Sequence, residues 1–472
     1  MNAGVAPSSR LATAVMAAAG AATVGALAGF HPKIAAGVIG GGGLLALAFV
    51  APVAHLVSLL FIAAIVPFSI QNAFSFGGGA GVPGLLPSDV LLLGGLLRAG
   101  LVLLDRRPPR RLRTAFALLV AFLAVATVQF AHGLAAGHDP STTGVELRAL
   151  VGFGVFIVAL PILADDAARE RLFSGLLVVG IALGLWGLVQ WTLKLPFSVV
   201  ADVGVRSGVP FTTTGRGALQ GGLYAYHIAV VLAVAALVVS NTRSPLRRLL
   251  LVAVLALNSV DLLLTYERIL WVSTLAAIAF VAFKASGSQR AKAIVLGPSA
   301  VAMTIASFAI LAPTDFTTAR ERLLSVGQYA TDKSLRSRKL EAHLVTQQVT
   351  AHPLAGSGLG ATILWGRPYE NVKPVYQSFS HNGYLWLVWK LGIAGGGLLI
   401  LLLAWAVVRR RGPPSATTDH AMMIGAQAAL FACLLQGFIY PNFVSSTTAA
   451  MGLLVALAMS PWSPSAAHGR PW

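Results

Sequence analysis

Few residues in this chain suit catalysis, and His381 has the most informative position. It opens the segment His381-Asn382-Gly383-Tyr384-Leu385-Trp386, closing a polar, basic stretch (Pro313 to Ser380) and leading into an apolar run from Gly383 to Val408. A neutral imidazole near pH 7 can take a proton from an attacking hydroxyl. At a boundary between water and lipid, beside basic residues, such a base would serve a charged, lipid-linked substrate. The plainer alternative is an interfacial histidine that only hydrogen-bonds a helix end.

Arginines form the second set. Arg268 lies in the tight turn Leu264-Thr265-Tyr266-Glu267-Arg268-Ile269, where an ion pair with Glu267 or snorkelling to headgroups is the simpler reading. Arg206 and Arg216 precede the apolar run 218–240, and Arg336 and Arg338 fall in the 313–380 stretch. Guanidiniums converging from these places could bind a pyrophosphate by paired hydrogen bonds and stabilise the charge on a departing phosphate. The segments that carry them hold no Asp-x-Asp pair, and there is no HExxH spacing. No metal and no cofactor are expected; the arginines would do the work of a metal. The lone Cys433 excludes an intrachain disulfide.

These residues need elements to position them. The chain has 472 residues, 56% hydrophobic and 11% charged, with mean hydropathy +0.78. That composition requires a lipid environment, and the runs are long enough for helices across a hydrocarbon core of roughly 30 Å. The expected fold is an all-α polytopic membrane protein with about 12 (12–14) transmembrane helices. It divides into transmembrane helices over 1–312, a loop subdomain over 313–380 containing short helices, and transmembrane helices with a short tail over 381–472.

The net charge is +18 with only 16 acidic residues. Many of the basic residues cluster between apolar runs, at Arg106 to Arg113, Arg169/Arg171, Arg243 to Arg248, Lys284 to Lys292 and Arg409 to Arg411. The intervening runs pair up, so all five clusters share the cytoplasmic side and both termini fall there. Segments 134–147, 194–217 and 313–380 then face outward. The last is basic where the positive-inside rule gives no reason for it, so an anion site competes with a solvated loop. No nucleic-acid partner is expected. Within this loop a helix is predicted over Ser334 to Ala351, with an apolar stripe of Leu335, Ala342, Val345 and Val349. His352-Pro353 stops it, and the glycines of Pro353 to Gly360, Gly356 and Gly358 among them, permit close backbone approach to a ligand or another helix.

One spacing resembles a known family. His381-Asn382, followed by nine residues, Gly392, two residues and Gly395, is similar to the histidine motif of O-antigen ligases. Arg338, Pro353, Gly356 and Gly358 match the wider ligase and polymerase superfamily, where an Arg lies on a short helix ending in Pro before Gly-x-Gly. Thr265-Tyr266-Glu267-Arg268 resembles its earlier Ser-Arg element, with Glu in place of Ser. The resemblance covers about 218–440.

The resemblance implies a metal-independent inverting glycosyltransferase of the bacterial inner membrane, with its active site on the periplasmic face. The donor would be an O-antigen glycan on undecaprenyl pyrophosphate. The acceptor would be a sugar hydroxyl of lipid A–core, giving full lipopolysaccharide. His381 would be the general base, and Arg338 and Arg268 would hold the pyrophosphate. Arg206, Arg216, Arg336, Asn382, Gly356 and Gly358 would assist binding. An O-antigen polymerase, or a protein O-oligosaccharyltransferase, would use the same donor chemistry. The single dominant outward loop favours the ligase. A transporter would call for internal repeats, which are not evident.

Overall fold

The computed structural model describes residues 32–66, 84–105, 110–193, 223–240, 244–311, 333–367, 372–409, 417–445 and 447–460, with a few positions between them. Arg206 and Arg216 lie outside the described residues, as does the first apolar run, 11–30.

The fold is overwhelmingly helical. The first half comprises α1 (Pro32–Val50), α2 (Pro52–Ile65), α3 (Pro87–Asp105), α4 (Arg110–Ala135), α5 (Pro140–Val151), α6 (Val155–Leu163) and α7 (Asp166–Leu193). After α8 (Leu223–Val239) come α9 (Pro245–Leu264), α10 (Arg268–Lys284) and α11 (Gly287–Leu311). The polar helix α12 (Lys333–Ala351) is followed by strands β1 (Ile363–Arg367) and β2 (Val372–Gln377), then α13 (Gly383–Val408), α14 (Thr418–Gln436) and α15 (Thr447–Met459).

Six helices among the described residues are long and apolar enough to cross a membrane, and four shorter apolar helices accompany them. In lipid the polar backbone must satisfy its hydrogen bonds internally, which is why these runs form helices. Their outward side chains agree: Val128, Val178, Leu249, Ile294 and Phe283 stand exposed where water would reject them. Local sequence sets several starts. Asp139 caps α5 by accepting from Thr142 N–H at 2.8 Å ahead of Pro140, and Ser244 caps α9 ahead of Pro245.

The bundle has two distinct ends. At one, Arg169 pairs with Asp419 at 2.8 Å, Arg247 pairs with Glu170, and Arg409 donates to the Met459 carbonyl. These contacts join the ends of α7, α9 and α13, which carry basic clusters, to the start of α14 and the end of α15. The opposite end gathers the turn before α10, the end of α14 and the start of α13. There Gly383 N–H donates to the Gly437 carbonyl at 2.8 Å, and Gln436 donates to Ser273 Oγ at 2.8 Å.

The segment between α11 and α13 brings the polar elements to this second end. Helix α12 runs from Lys333 to Ala351, matching the expected helix within a residue at its start. The hairpin β1–β2 is an addition to the helical expectation. It is antiparallel, with Ile363 opposite Gln377, Leu364 opposite Tyr376 and Trp365 opposite Val375. Ile363, Trp365 and Gln377 are buried while Leu364 and Tyr376 are exposed, the alternation a strand requires.

Candidate functional site

His381 sits in the turn that enters α13, and Asn382 starts that helix. The Asn382 side chain accepts from Leu385 N–H at 3.0 Å, so it is the N-cap. The cap fixes where the helix begins and therefore where the imidazole projects. Trp386, one turn on, donates from its indole to the Ser378 carbonyl at 3.0 Å, which ties the incoming chain to the helix.

The imidazole is only 7% exposed. Its Nδ1 lies 2.6 Å from Glu341 Oε2, and the backbone N–H of His381 donates to the other carboxylate oxygen. Glu341 is 1% exposed, on the face of α12 that also buries Ser337 and Val345 at four-residue steps. Burial pushes the Glu341 pKa up, but the adjoining His381 and its donated hydrogen bonds outweigh burial and hold the carboxyl below its usual range. An ionised carboxylate only accepts, so the proton between the two side chains belongs to Nδ1, and in the neutral imidazole the lone pair then lies on Nε2. Two rings fix the plane of the imidazole: Phe379, with centroids 5.2 Å apart, and Trp365 on β1, at 5.9 Å. Trp365 also donates to the Ser337 carbonyl of α12 at 3.4 Å. Helix, hairpin and turn thus converge on one histidine.

Arg338 lies on α12 three residues before Glu341, so it flanks the same helix face. It is partly buried, and its Nε has no hydrogen-bond partner among the described residues. Arg336 is exposed on the same helix. Arg268 is the first residue of α10, partly buried, directly after Tyr266 and Glu267. Tyr266 holds φ at 52°, a left-handed conformation that is uncommon for an aromatic residue. The turn is secured by Trp271, whose indole donates to the Leu262 carbonyl at 2.7 Å, and by Thr265 Oγ1, which does the same. Through Ser273–Gln436 and Gly437–Gly383, α10 is linked to the start of α13, so Arg268 and His381 occupy the same end of the bundle.

The glycine-rich loop is packed against helices. Gly356 and Gly358 are buried with φ of 75° and 82°. A Cβ on Gly356 would collide with the backbone at Lys390 and Gly392, and one on Gly358 would press on Gly133 of α4 at 3.1 Å. Of the two openings left by the glycine spacing, ligand or helix, the backbone here meets helices. Ser357 N–H donates to the Trp389 carbonyl at 2.7 Å, and Ile393 N–H donates to the Pro353 carbonyl at 2.9 Å. These bonds bridge a break inside α13, where Gly392 has φ 68° and ψ 173°.

Beneath the loop lies a feature the sequence did not single out. Lys390 and Glu146, both 0% exposed, pair at 2.9 Å between α13 and α5. Lys390 also donates to the Ala361 carbonyl, and Glu146 accepts from Gly360 N–H at 2.7 Å. Charges this deep among apolar helices persist because each has a partner. A lysine inside the run Gly383 to Val408 was the available signal, since intramembrane charge is costly.

Helices of membrane length mark a polytopic membrane protein, with a carboxylate-held histidine at the end of the bundle that also carries Arg268 and Arg338. Residues 253–400 match the family model described as O-antigen ligase, so the family resemblance holds over that segment, which contains Arg268, Arg338, Glu341 and His381. The match supports O-antigen ligase/polymerase-type glycosyl transfer on lipid-linked polysaccharide. No curated protein sequence matches the chain.

Proposed function

We propose that the protein is an O-antigen ligase of the bacterial inner membrane. It would transfer a polysaccharide from undecaprenyl pyrophosphate to a sugar hydroxyl of lipid A–core on the periplasmic face. The observation that carries this reading is the His381 imidazole held through Nδ1 by Glu341, within the segment that matches the ligase family.

In the proposed step, Nε2 of His381 takes the proton of the acceptor hydroxyl. The hydroxyl oxygen gives its electron pair to the anomeric carbon of the donor. The bond from that carbon to the pyrophosphate oxygen breaks, and undecaprenyl pyrophosphate leaves with the bonding pair. Attack opposite the leaving group inverts the anomeric centre. Arg338 and Arg268 neutralise the charge growing on the pyrophosphate, as a divalent cation would elsewhere. Arg206, Arg216 and Arg336 are assigned supporting contacts with the same anion. Asn382, Gly356 and Gly358 serve by position: the first caps α13, and the glycines seat the loop against α4 and α13. The subdomain over 313–380 supplies the base's partner and the first arginine, and the membrane helices on either side frame it.

The test is transfer by the purified protein, with lipid A–core as acceptor and excess chelator present. Ligation that is lost in H381A and insensitive to chelator is expected. Transfer only onto a second undecaprenyl-linked repeat would make the protein a polymerase. Strict dependence on Mg²⁺ would refute the arginine assignment.

A further inference from the structure

We infer that Glu341 is a positioning residue for His381, setting which ring nitrogen carries the proton and where the other one points. This rests on the reading of His381 as the base, and concerns a residue that no sequence motif marked.

The geometry is more than a single contact. One carboxylate oxygen accepts from His381 Nδ1 at 2.6 Å, and the other accepts from the backbone N–H of the same residue. Ser380 adds a third donor through its hydroxyl, and that oxygen in turn accepts from Asn382 N–H at 3.2 Å. Glu341 therefore fixes both the backbone of the turn and the ring it carries. A carboxylate that only closed a loop would be served by the backbone contact alone. The second oxygen is committed to the imidazole, and the Phe379 and Trp365 rings leave the plane of that imidazole little freedom.

The chemical consequence is specific. A buried carboxylate that accepts from Nδ1–H excludes the tautomer in which Nε2 bears the hydrogen. It also stabilises the imidazolium formed when Nε2 takes the acceptor's proton. The carboxylate itself stays ionised throughout and transfers no proton. Because Arg338 lies one turn away on the same helix, any shift of α12 would move the base and the pyrophosphate contact together.

The experiment compares E341Q, E341D, H381A and the double variant E341Q/H381A in the full-length purified protein, with elution profile and thermal unfolding as controls. The carboxamide can donate to Nδ1 and so favours the wrong tautomer. E341Q should lower kcat about 100-fold or more, a typical general-base contribution, with KM for both lipid-linked substrates within about twofold. E341D keeps the charge and should recover part of that loss. The double variant should be no slower than H381A, because Glu341 acts through the histidine. Nitrogen-15 spectra of histidine-labelled protein, with H381A identifying the resonance, should show hydrogen on Nδ1 in the wild type and on Nε2 in E341Q. Wild-type kcat in E341Q while H381A is inactive would overturn the inference alone, as would a double variant markedly slower than H381A. A fully active H381A would instead bring down the base assignment beneath it.

Discussion

Replacing Lys390 with Met removes one half of an ion pair in which neither side chain touches solvent. The thioether fills much of the space of the lysine stem, so the main loss is electrostatic. Glu146 would keep its contact with Gly360 N–H at 2.7 Å but would lose the ammonium at 2.9 Å. The ammonium also lies 4.2 Å from the Trp389 ring centre, an interaction lost with it. Breaking a buried pair from one side costs about 3–5 kcal/mol. At roughly 2 °C per kcal/mol for a large chain, K390M should unfold about 6–10 °C below the wild type. The double variant E146Q/K390M separates charge from packing. A glutamine oxygen can still accept from Gly360 and no charge is stranded, while the Ala361 carbonyl loses its donor, a cost of about 1–3 kcal/mol. The double variant should therefore melt several degrees above K390M. Thermal unfolding of detergent-purified protein, followed by tryptophan fluorescence, reads both numbers. A K390M melting point within 2 °C of the wild type, or a double variant as unstable as the single, would show that the pair is not what anchors the loop.

Other expectations concern the site and the loop. R338A should raise the donor KM by about 10- to 100-fold, the loss of one or two charge-assisted hydrogen bonds, and unchanged donor affinity would count against its role. G392A should reduce folded yield, because its φ of 68° is unfavourable to alanine and the new Cβ meets the Leu354 carbonyl; normal thermal stability in this variant would contradict that packing. The contribution of the Glu341 carboxylate to stability should be complete above the ordinary carboxylate range and lost as pH falls below it, since its folded pKa is depressed. Comparing the melting points of wild type and E341Q against pH checks the sign; a difference that vanished on raising the pH through neutrality instead would reverse it.

Much of this arrangement is legible in the chain before any coordinate is drawn. The apolar runs give the helices, and the polar stretch with His352-Pro353 gives α12 nearly to the residue, because composition and proline chemistry act locally. His381 and Arg338 stand out through charge type and spacing. The partner of His381 does not. Glu341 is one of several acidic residues in a basic stretch, 40 positions away, and only the docking of α12 on the start of α13 selects it. The Lys390–Glu146 pair hides for the same reason, spanning 244 residues. The hairpin is short, and its alternation is decided by which face meets α12, a tertiary property. The glycines at 356 and 358 pointed to close approach, but sequence alone could not say to what.

The capped helix α13 also acts as a ruler. Unbroken, its 26 residues would span roughly 39 Å at 1.5 Å per residue, against a hydrocarbon thickness of roughly 30 Å, and the break at Gly392 shortens that span. With Arg409 placed at one surface, at most about 9 Å of helix would be left over at the other. In the proposed orientation that surplus would lift the imidazole out of the acyl chains to the level of the headgroups. A prenyl pyrophosphate floating in the same leaflet carries its phosphates at that height. Under the proposed function, the enzyme would need neither to pull its donor from the membrane nor to sink its base into oil; the length of one helix would bring the two to the same depth.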